Sequence, residues 1–283
     1  MASPFGPRLF ATVEARSSFC LGVDPTPSLL SAWGLDDDAK GLTRFCDIVL
    51  SAVSGRAGFV KPQSAYFERH GPAGVAVLAD FCAAARDQGV LVILDVKRGD
   101  IGSTAEAYAQ AYLGDRAHVR ADAITVLPYM GMGAIAPMVE VAGAAGAGLF
   151  VVVRSSNPEG RNLQTARADD GRTVEGALID EIAELNASAP AGTLGSVGAV
   201  FAAMRGEAAG IDLAAMNGPF LVPGLGFQGG SYDEVGELFA GCTDRLVVSA
   251  SRSVLAHGPD PESLGAEIEA QCSQAFGLTA APG

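Results

Sequence analysis

The stretch LVILDVKRGDIGSTAEAYAQAYL, residues 91–113, decides how this chain is read. It opens on a short apolar run, LVILDVK (91–97), with the length and β-branched content of a strand buried on both faces. It closes on a helix-like segment, 103–113, where Ser103 and Glu106 stand three apart as a capping box. A charged turn joins the two. The whole is one strand–turn–helix unit, and the question is how often it recurs.

Apolar runs with glycine or proline nearby also fall at FCLGVDP (19–25), GFVKPQ (58–63), AITVLPY (123–129) and GLFVVVRSS (148–156). Three more follow: SVGAVFAA (196–203), FLVPGLG (220–226) and RLVVSASR (245–252). Helix-like segments at 37–54, 73–88, 133–142, 174–186 and 232–239 lie between them, with Gly89 placed to end the second. A weaker helical pattern follows Met204 (RGEAAGIDLAAM). Strands alternating with helices admit a closed barrel or an open doubly wound sheet. An open sheet would gather its polar residues at one switch point. Here Asp24, Lys61, Asp95, Lys97, Tyr129, Ser155, Ser156 and Arg252 are spread over many strand ends. The α/β reading is therefore a (β/α)8 TIM barrel, which builds its sites at the carboxyl-terminal rim.

The 283 residues suit one barrel domain over 1–283, with 49% hydrophobic residues for a large core. The ends are expected to fray, the tail after Phe276 (GLTAAPG) above all. Residues 157–173 (NPEGRNLQTARADDGRT) form a polar loop that is either a cover over a site or a surface insertion. The most apolar region, 134–153, is interrupted by Glu140 and GAAGAG and reads as helix end, turn and strand, not as a membrane span. No signal-peptide pattern opens the chain, which points to the cytoplasm. Five scattered cysteines without a C-x-x-C pair read as reduced thiols, and the three histidines lack zinc-ligand spacing. A net charge of −13 argues against a nucleic-acid partner, so an anionic ligand must be held by a few local groups.

Such groups stand in LDVKRGDIGST (94–104). Asp95 and Lys97 are two apart in a strand, so both side chains leave one face. Asp100 follows in the turn, and Lys61 ends another strand. Four charges are expected to converge. A lysine beside carboxylates keeps its proton, which argues against a Schiff base and for a cation that donates a proton. Carboxylates placed there would repel an anionic substrate group. A substrate that loses a carboxylate and leaves a carbanion satisfies both conditions.

A second signal is VPGLGFQGG (222–230) with VVSASRS (247–253), at the ends of the seventh and eighth strands. Barrels often hold phosphate there, and Arg252 and Gln228 supply donors. Gly224, Gly226 and Gly229 spell G-x-G-x-x-G, but only one clear strand follows, so a dinucleotide site is not expected.

These motifs, from LGVDP through DVKRGDIGSTA to SASRS, resemble the orotidine 5′-phosphate decarboxylase family in its longer bacterial branch. The resemblance implies a homodimeric barrel that converts orotidine 5′-monophosphate to UMP and CO₂ in pyrimidine biosynthesis without metal or cofactor. It implies that Asp24 binds a ribose hydroxyl and that Lys61 bridges ribose and the charge array. Asp95 would face the substrate carboxylate and Lys97 would protonate C6. Asp100 and Thr104 would reach the neighbouring subunit's site. Ser156, chosen by its spacing from Pro158, would bond the pyrimidine edge, and Gln228 and Arg252 the phosphate. Loop 157–173 and the segment before the sixth strand exceed the shorter family members, which makes Arg161 a further candidate for closure. The rivals are a magnesium-dependent decarboxylase or aldolase of phosphorylated sugars on the same barrel, and a nucleotide binder without catalysis. Lys61 stands where the first would carry a metal-binding Glu.

Overall fold

The computed structural model describes residues 3–203, 208, 210–225 and 230–280. Its strands are β1 (Phe19–Val23), β2 (Phe59–Pro62), β3 (Leu91–Arg98), β4 (Ala123–Val126), β5 (Gly148–Arg154), β6 (Val197–Phe201), β7 (Phe220–Pro223) and β8 (Leu246–Ala250). Each pairs in parallel with the next, and β8 pairs with β1, so the sheet closes on itself. The (β/α)8 barrel is the fold.

The two-residue period of a strand explains both the core and the site. Cys20, Phe59, Leu91, Ile93, Ala123, Phe150, Val200, Leu221 and Val247 point inward and form one apolar cluster. The residues between them, such as Val60, Val92, Leu94, Ile124, Leu149 and Val248, pack outward against the helices. One inward step further toward the carboxyl ends stand Lys61, Asp95, Thr125 and Ser249, which line a cavity. Each strand thus has an apolar foot and a polar end.

The opposite end of the barrel is closed by a helix that the sequence pattern does not announce, Phe5–Arg16. Gly6 and Pro7 punctuate its first turn, where proline is tolerated. Phe5, Leu9 and Val13, four apart, share one face and join the interior cluster. Phe5 meets Phe150 edge-on at 5.9 Å. A Cβ at Gly148 would stand 2.2 Å from Phe5 Cδ1, so glycine is required for this approach. Arg8 donates to Asp122 Oδ1 (2.7 Å) and to the Gly146 carbonyl (3.0 Å), fixing the helix to the strand feet. Phe5→Ala is expected to cost about 3–5 kcal/mol in a denaturant titration. A loss under about 1 kcal/mol would contradict the role of this helix as a plug.

Elsewhere the helices follow the sequence pattern with local corrections. Helix Gly71–Asp87 is followed by Gly89 at φ 72°, the left-handed exit its glycine suggests. Helix Gly102–Leu113 is not capped by Ser103. Its N-cap is Ile101, with no side-chain cap, because Gly102 at φ 53° turns the chain one residue early and leaves Ser103 inside the first turn. A true capping box joins Ser231 and Glu234 at helix Tyr232–Leu238. Of the weak pattern after Met204 only the 3₁₀ turn Ala214–Met216 is helical among the described residues. Of the tail expected to fray, residues 277–280 are helical, and 281–283 lie outside the described residues. Helix Pro261–Ala280 continues there, with Leu264, Ile268, Cys272, Ala275 and Leu278 buried along one face.

The apolar region 134–153 resolves into helix Ala136–Ala145, a left-handed Gly146 and β5. Among the described residues, no helix is long and apolar enough to cross a membrane. The five cysteines are unpaired and buried.

Candidate active site

The end of β3 departs from regular pairing. Leu94 pairs with Ile124, but Arg98 pairs with Val126, so two residues of β4 face four of β3. Within this bulge Lys97 takes a left-handed backbone, φ 45°. For a residue with a Cβ that conformation costs about 1–2 kcal/mol. Thr125 answers it from β4, its Oγ1 accepting from the Lys97 backbone N–H at 3.0 Å. The same hydroxyl donates to Asp95 Oδ1 at 2.8 Å. Lys97 Nζ reaches that oxygen at 2.6 Å, and Lys61 Nζ, from β2, reaches Oδ2 at 3.2 Å. One buried carboxylate therefore sits between two ammonium groups. Asp95 and Lys97 do meet, through a bulge rather than by simple alternation.

Burial would raise the Asp95 carboxyl, but the charges of Lys61 and Lys97, with the Lys97 and Thr125 hydrogen bonds, hold it down at about 2. Burial would lower the Lys61 ammonium, yet Asp95 and Asp24 hold it above its ordinary value. The Asp95 carboxylate adds stability above its unfolded value near pH 4, and this is lost as pH falls toward 2. Lys61 adds stability below its ordinary value, and this is lost as pH rises through its higher folded value. Both groups are charged across the neutral range.

This array forms one wall of a cavity of about 300 Å³ at the carboxyl ends of the strands. Asp24, Ser155, Ser156, Gly224 and Arg252 line it too, so the Gly224 backbone and a guanidinium share the space with the charges on β2 and β3. Asp24 Oδ1 and Ser251 Oγ are buried there with no hydrogen-bond partner among the described residues, polar atoms that a ligand would satisfy. Loop 157–173 is folded rather than extended. It holds the short helix Arg161–Gln164, and Gln164 donates to Ser155 Oγ at 2.8 Å, tying the loop to the cavity edge. Arg161 is exposed and does not line the cavity.

Of the residues chosen from sequence, Asp24, Lys61, Asp95, Lys97, Ser156 and Arg252 line this one cavity. Asp100 does not line this cavity, so of the four charges expected to converge Lys61, Asp95 and Lys97 meet within the chain, with Asp24 beside Lys61. The Asp100 carboxylate accepts from the Ile101 N–H (2.8 Å), which turns it back on its own loop. Thr104 is exposed on the following helix and lies outside the cavity. Tyr129 is 82% exposed and also outside it, because the chain leaves β4 at Val126 and the side chain stands on the surface. Gln228, Gly226 and Gly229 lie outside the described residues. The sequence reading overlooked Thr125 and Ser249, polar residues in otherwise apolar strands at the inward register of Asp95 and Lys61. That isolated polarity was the available signal. Among the described residues, no group of three or more His, Cys, Asp or Glu side chains is arranged to hold a metal ion.

A closed parallel barrel with charged side chains gathered in a cavity at its carboxyl-terminal rim defines a (β/α)8-barrel enzyme. Comparison with known proteins narrows the class. The family model described as orotidine 5′-phosphate decarboxylase / HUMPS family matches residues 17–268. An orotidine 5′-phosphate decarboxylase of Salinispora arenicola is 52% identical over 265 residues, 94% of each chain. One of Myxococcus xanthus is 44% identical, covering 99% of this chain and 98% of its own. A crystal structure assigned as orotidine 5′-phosphate decarboxylase from Streptomyces avermitilis superimposes with a TM-score of 0.94 at 44% identity, over 99% of this chain and 97% of that one. The chain belongs to the orotidine 5′-phosphate decarboxylase / HUMPS family and is an enzyme of its decarboxylase, carbon–carbon lyase class.

Proposed function

We propose that this protein converts orotidine 5′-monophosphate to UMP and CO₂ in pyrimidine biosynthesis, with neither metal nor organic cofactor. The observation that carries the reading is the Asp95 carboxylate held between Lys61 and Lys97, in one cavity with Arg252. The family membership supports the same substrate.

In this reading the phosphate binds Arg252 and Gln228, with the glycine-rich backbone after β7. Asp24 accepts a ribose hydroxyl on its unpartnered Oδ1, and Lys61 bridges the ribose and Asp95. Ser156 bonds the pyrimidine edge. The substrate carboxylate then lies against Asp95. Two unit charges about 4 Å apart repel by roughly 4 kcal/mol at an effective dielectric constant of 20, and departure of neutral CO₂ relieves this. The C6–carboxylate bond breaks, its electron pair stays on C6, and an Nζ–H of Lys97 supplies the proton. The Lys97 ammonium is already oriented by Asp95 before the charge develops, so little reorganisation is needed at that moment. Phosphate contacts far from C6 supply binding energy that holds the carboxylate in this unfavourable place.

A buried ammonium at position 61 speaks against the magnesium-dependent rival, since it repels a divalent cation where that chemistry needs a carboxylate. Incubating the pure protein with orotidine 5′-monophosphate and excess EDTA is expected to deplete pyrimidine absorbance at the rate seen without chelator. Complete arrest by EDTA, restored by Mg²⁺, would overturn the metal-free reading. UMP binding with no CO₂ release would favour the non-catalytic one.

The protein acts, in this reading, as a homodimer in which Asp100 and Thr104 enter the neighbouring site. Support comes from exposed apolar side chains on the two adjoining loops after β3 and β4, Ile101, Leu127, Tyr129 and Met130. Such a patch is usual for an interface. Inactive Lys97→Ala and Asp100→Ala proteins, refolded together, are expected to regain about a quarter of parent activity, because half of the dimers then carry one intact site. No recovery on mixing would place Asp100 within its own subunit's site or outside any.

A further inference from the structure

We infer that Thr125 is the positioning residue that sets the aim of Lys97, holding its backbone and its carboxylate partner through one hydroxyl. This deepens the proposed decarboxylase reading and rests on it for its kinetic part. Lys97 stands in a left-handed conformation that a side chain disfavours, inside a bulge where the ladder to β4 is interrupted. Its N–H has lost a regular strand partner, and the bond that replaces it is to Thr125 Oγ1, at 3.0 Å.

The same oxygen has one proton, and it goes to Asp95 Oδ1 at 2.8 Å. Oδ1 is the oxygen that receives Lys97 Nζ at 2.6 Å, while Lys61 takes Oδ2. The hydroxyl is thus the corner of a closed loop: Lys97 backbone to Thr125, Thr125 to Asp95, Asp95 to the Lys97 ammonium. Thr125 is 1% exposed, so water does not compete for either bond. The Lys97 side chain, by contrast, is 46% exposed and long enough to swing into solvent. Burial alone does not restrain it. Its two ends are restrained by the one threonine, which holds the backbone directly and the ammonium through Asp95.

Threonine suits the position for a further reason. A β-branched residue is stiff at χ1 and fits a strand, so the hydroxyl is aimed by the fold of β4 itself. Valine fills the same volume but offers neither acceptor nor donor. Serine offers both with less restraint.

The test compares Thr125→Val and Thr125→Ser with the parent, in steady-state turnover of orotidine 5′-monophosphate, in UMP affinity and in ligand-free crystal structures. The valine variant is expected to lose about 10²-fold in kcat, the usual result of misplacing a reacting group by an ångström, with UMP affinity nearly unchanged. The serine variant is expected to regain most of kcat. In the valine crystal structure Lys97 should leave the left-handed region or its Nζ should leave Asp95. A role in sheet stability alone would lower the unfolding midpoint and leave kcat per folded molecule intact. The proposal is overturned if the valine variant keeps kcat within about twofold of the parent, or if serine is no better than valine. It is also overturned if Lys97 and Asp95 are unmoved in the valine structure. Should valine prevent folding, Thr125→Ala carries the same comparison. If the parent itself leaves orotidine 5′-monophosphate untouched, the functional reading fails, while the crystallographic comparison still judges Thr125.

Discussion

Replacing Lys97 by alanine is expected to reduce decarboxylation by at least about 10⁴-fold while the protein still folds and binds UMP. The size follows from two roles lost at once. General acid catalysis by a positioned side chain is worth about 10²–10⁴, and a preorganised charge at the site of a developing anion about 10²–10³. In the proposed mechanism the two act on one carbon through one nitrogen, so no other group substitutes. Lys61 is the nearest cation, but it is committed to the other Asp95 oxygen at 3.2 Å and lies deeper in the barrel. The fold should survive because Lys97 buries little apolar surface, its side chain being half exposed. UMP, which lacks the carboxylate, should bind the variant about as well as the parent. Turnover within about tenfold of the parent would remove Lys97 from the chemistry, since neither role would then have been lost.

The second large effect is expected at the other end of the cavity. Arg252→Ala should weaken UMP binding by roughly 10²-fold, about 3 kcal/mol, while uridine affinity stays the same. A guanidinium that clamps phosphate through two charge-assisted bonds accounts for that difference. The effect should pass into kcat/KM, because in the proposed mechanism contacts remote from C6 hold the substrate carboxylate against Asp95. Equal UMP affinity in variant and parent would move the phosphate away from Arg252. A parallel loss of uridine binding would mean that the residue shapes the cavity instead.

Much of this architecture is legible in the amino-acid sequence because strand periodicity is a strong local signal. LVILDVK and GFVKPQ each carry an unbroken apolar run that ends in charge, and that pattern is the barrel's apolar foot and polar end. What escapes the sequence has a non-local cause. The helix Phe5–Arg16 has no sharp boundary signal, and its burial depends on Gly148 making room for Phe5. The left-handed turn at Lys97 depends on a threonine 28 positions away, so spacing within DVK predicts the neighbourhood of Asp95 and Lys97 but not the bulge that joins them. Asp100 shows the limit of spacing most plainly. Three residues beyond Lys97 it looks like a fourth member of the array, yet the turn at Gly102 folds its carboxylate onto the Ile101 N–H. Its proposed work in a neighbouring site belongs to a level of structure that a single chain's pattern does not encode.

The central claim is that one ammonium, aimed by Asp95 and Thr125, faces C6 of a pyrimidine nucleotide whose phosphate is held by Arg252. The most direct measurement is a crystal structure of the protein with a non-reactive analogue of UMP that carries an anionic group at C6. Lys97 Nζ is expected within about 3–3.5 Å of C6 or its substituent, with Arg252 on the phosphate. An analogue bound with its phosphate beside Lys61 and Lys97, or with C6 turned toward the β7 and β8 side of the cavity, would contradict it.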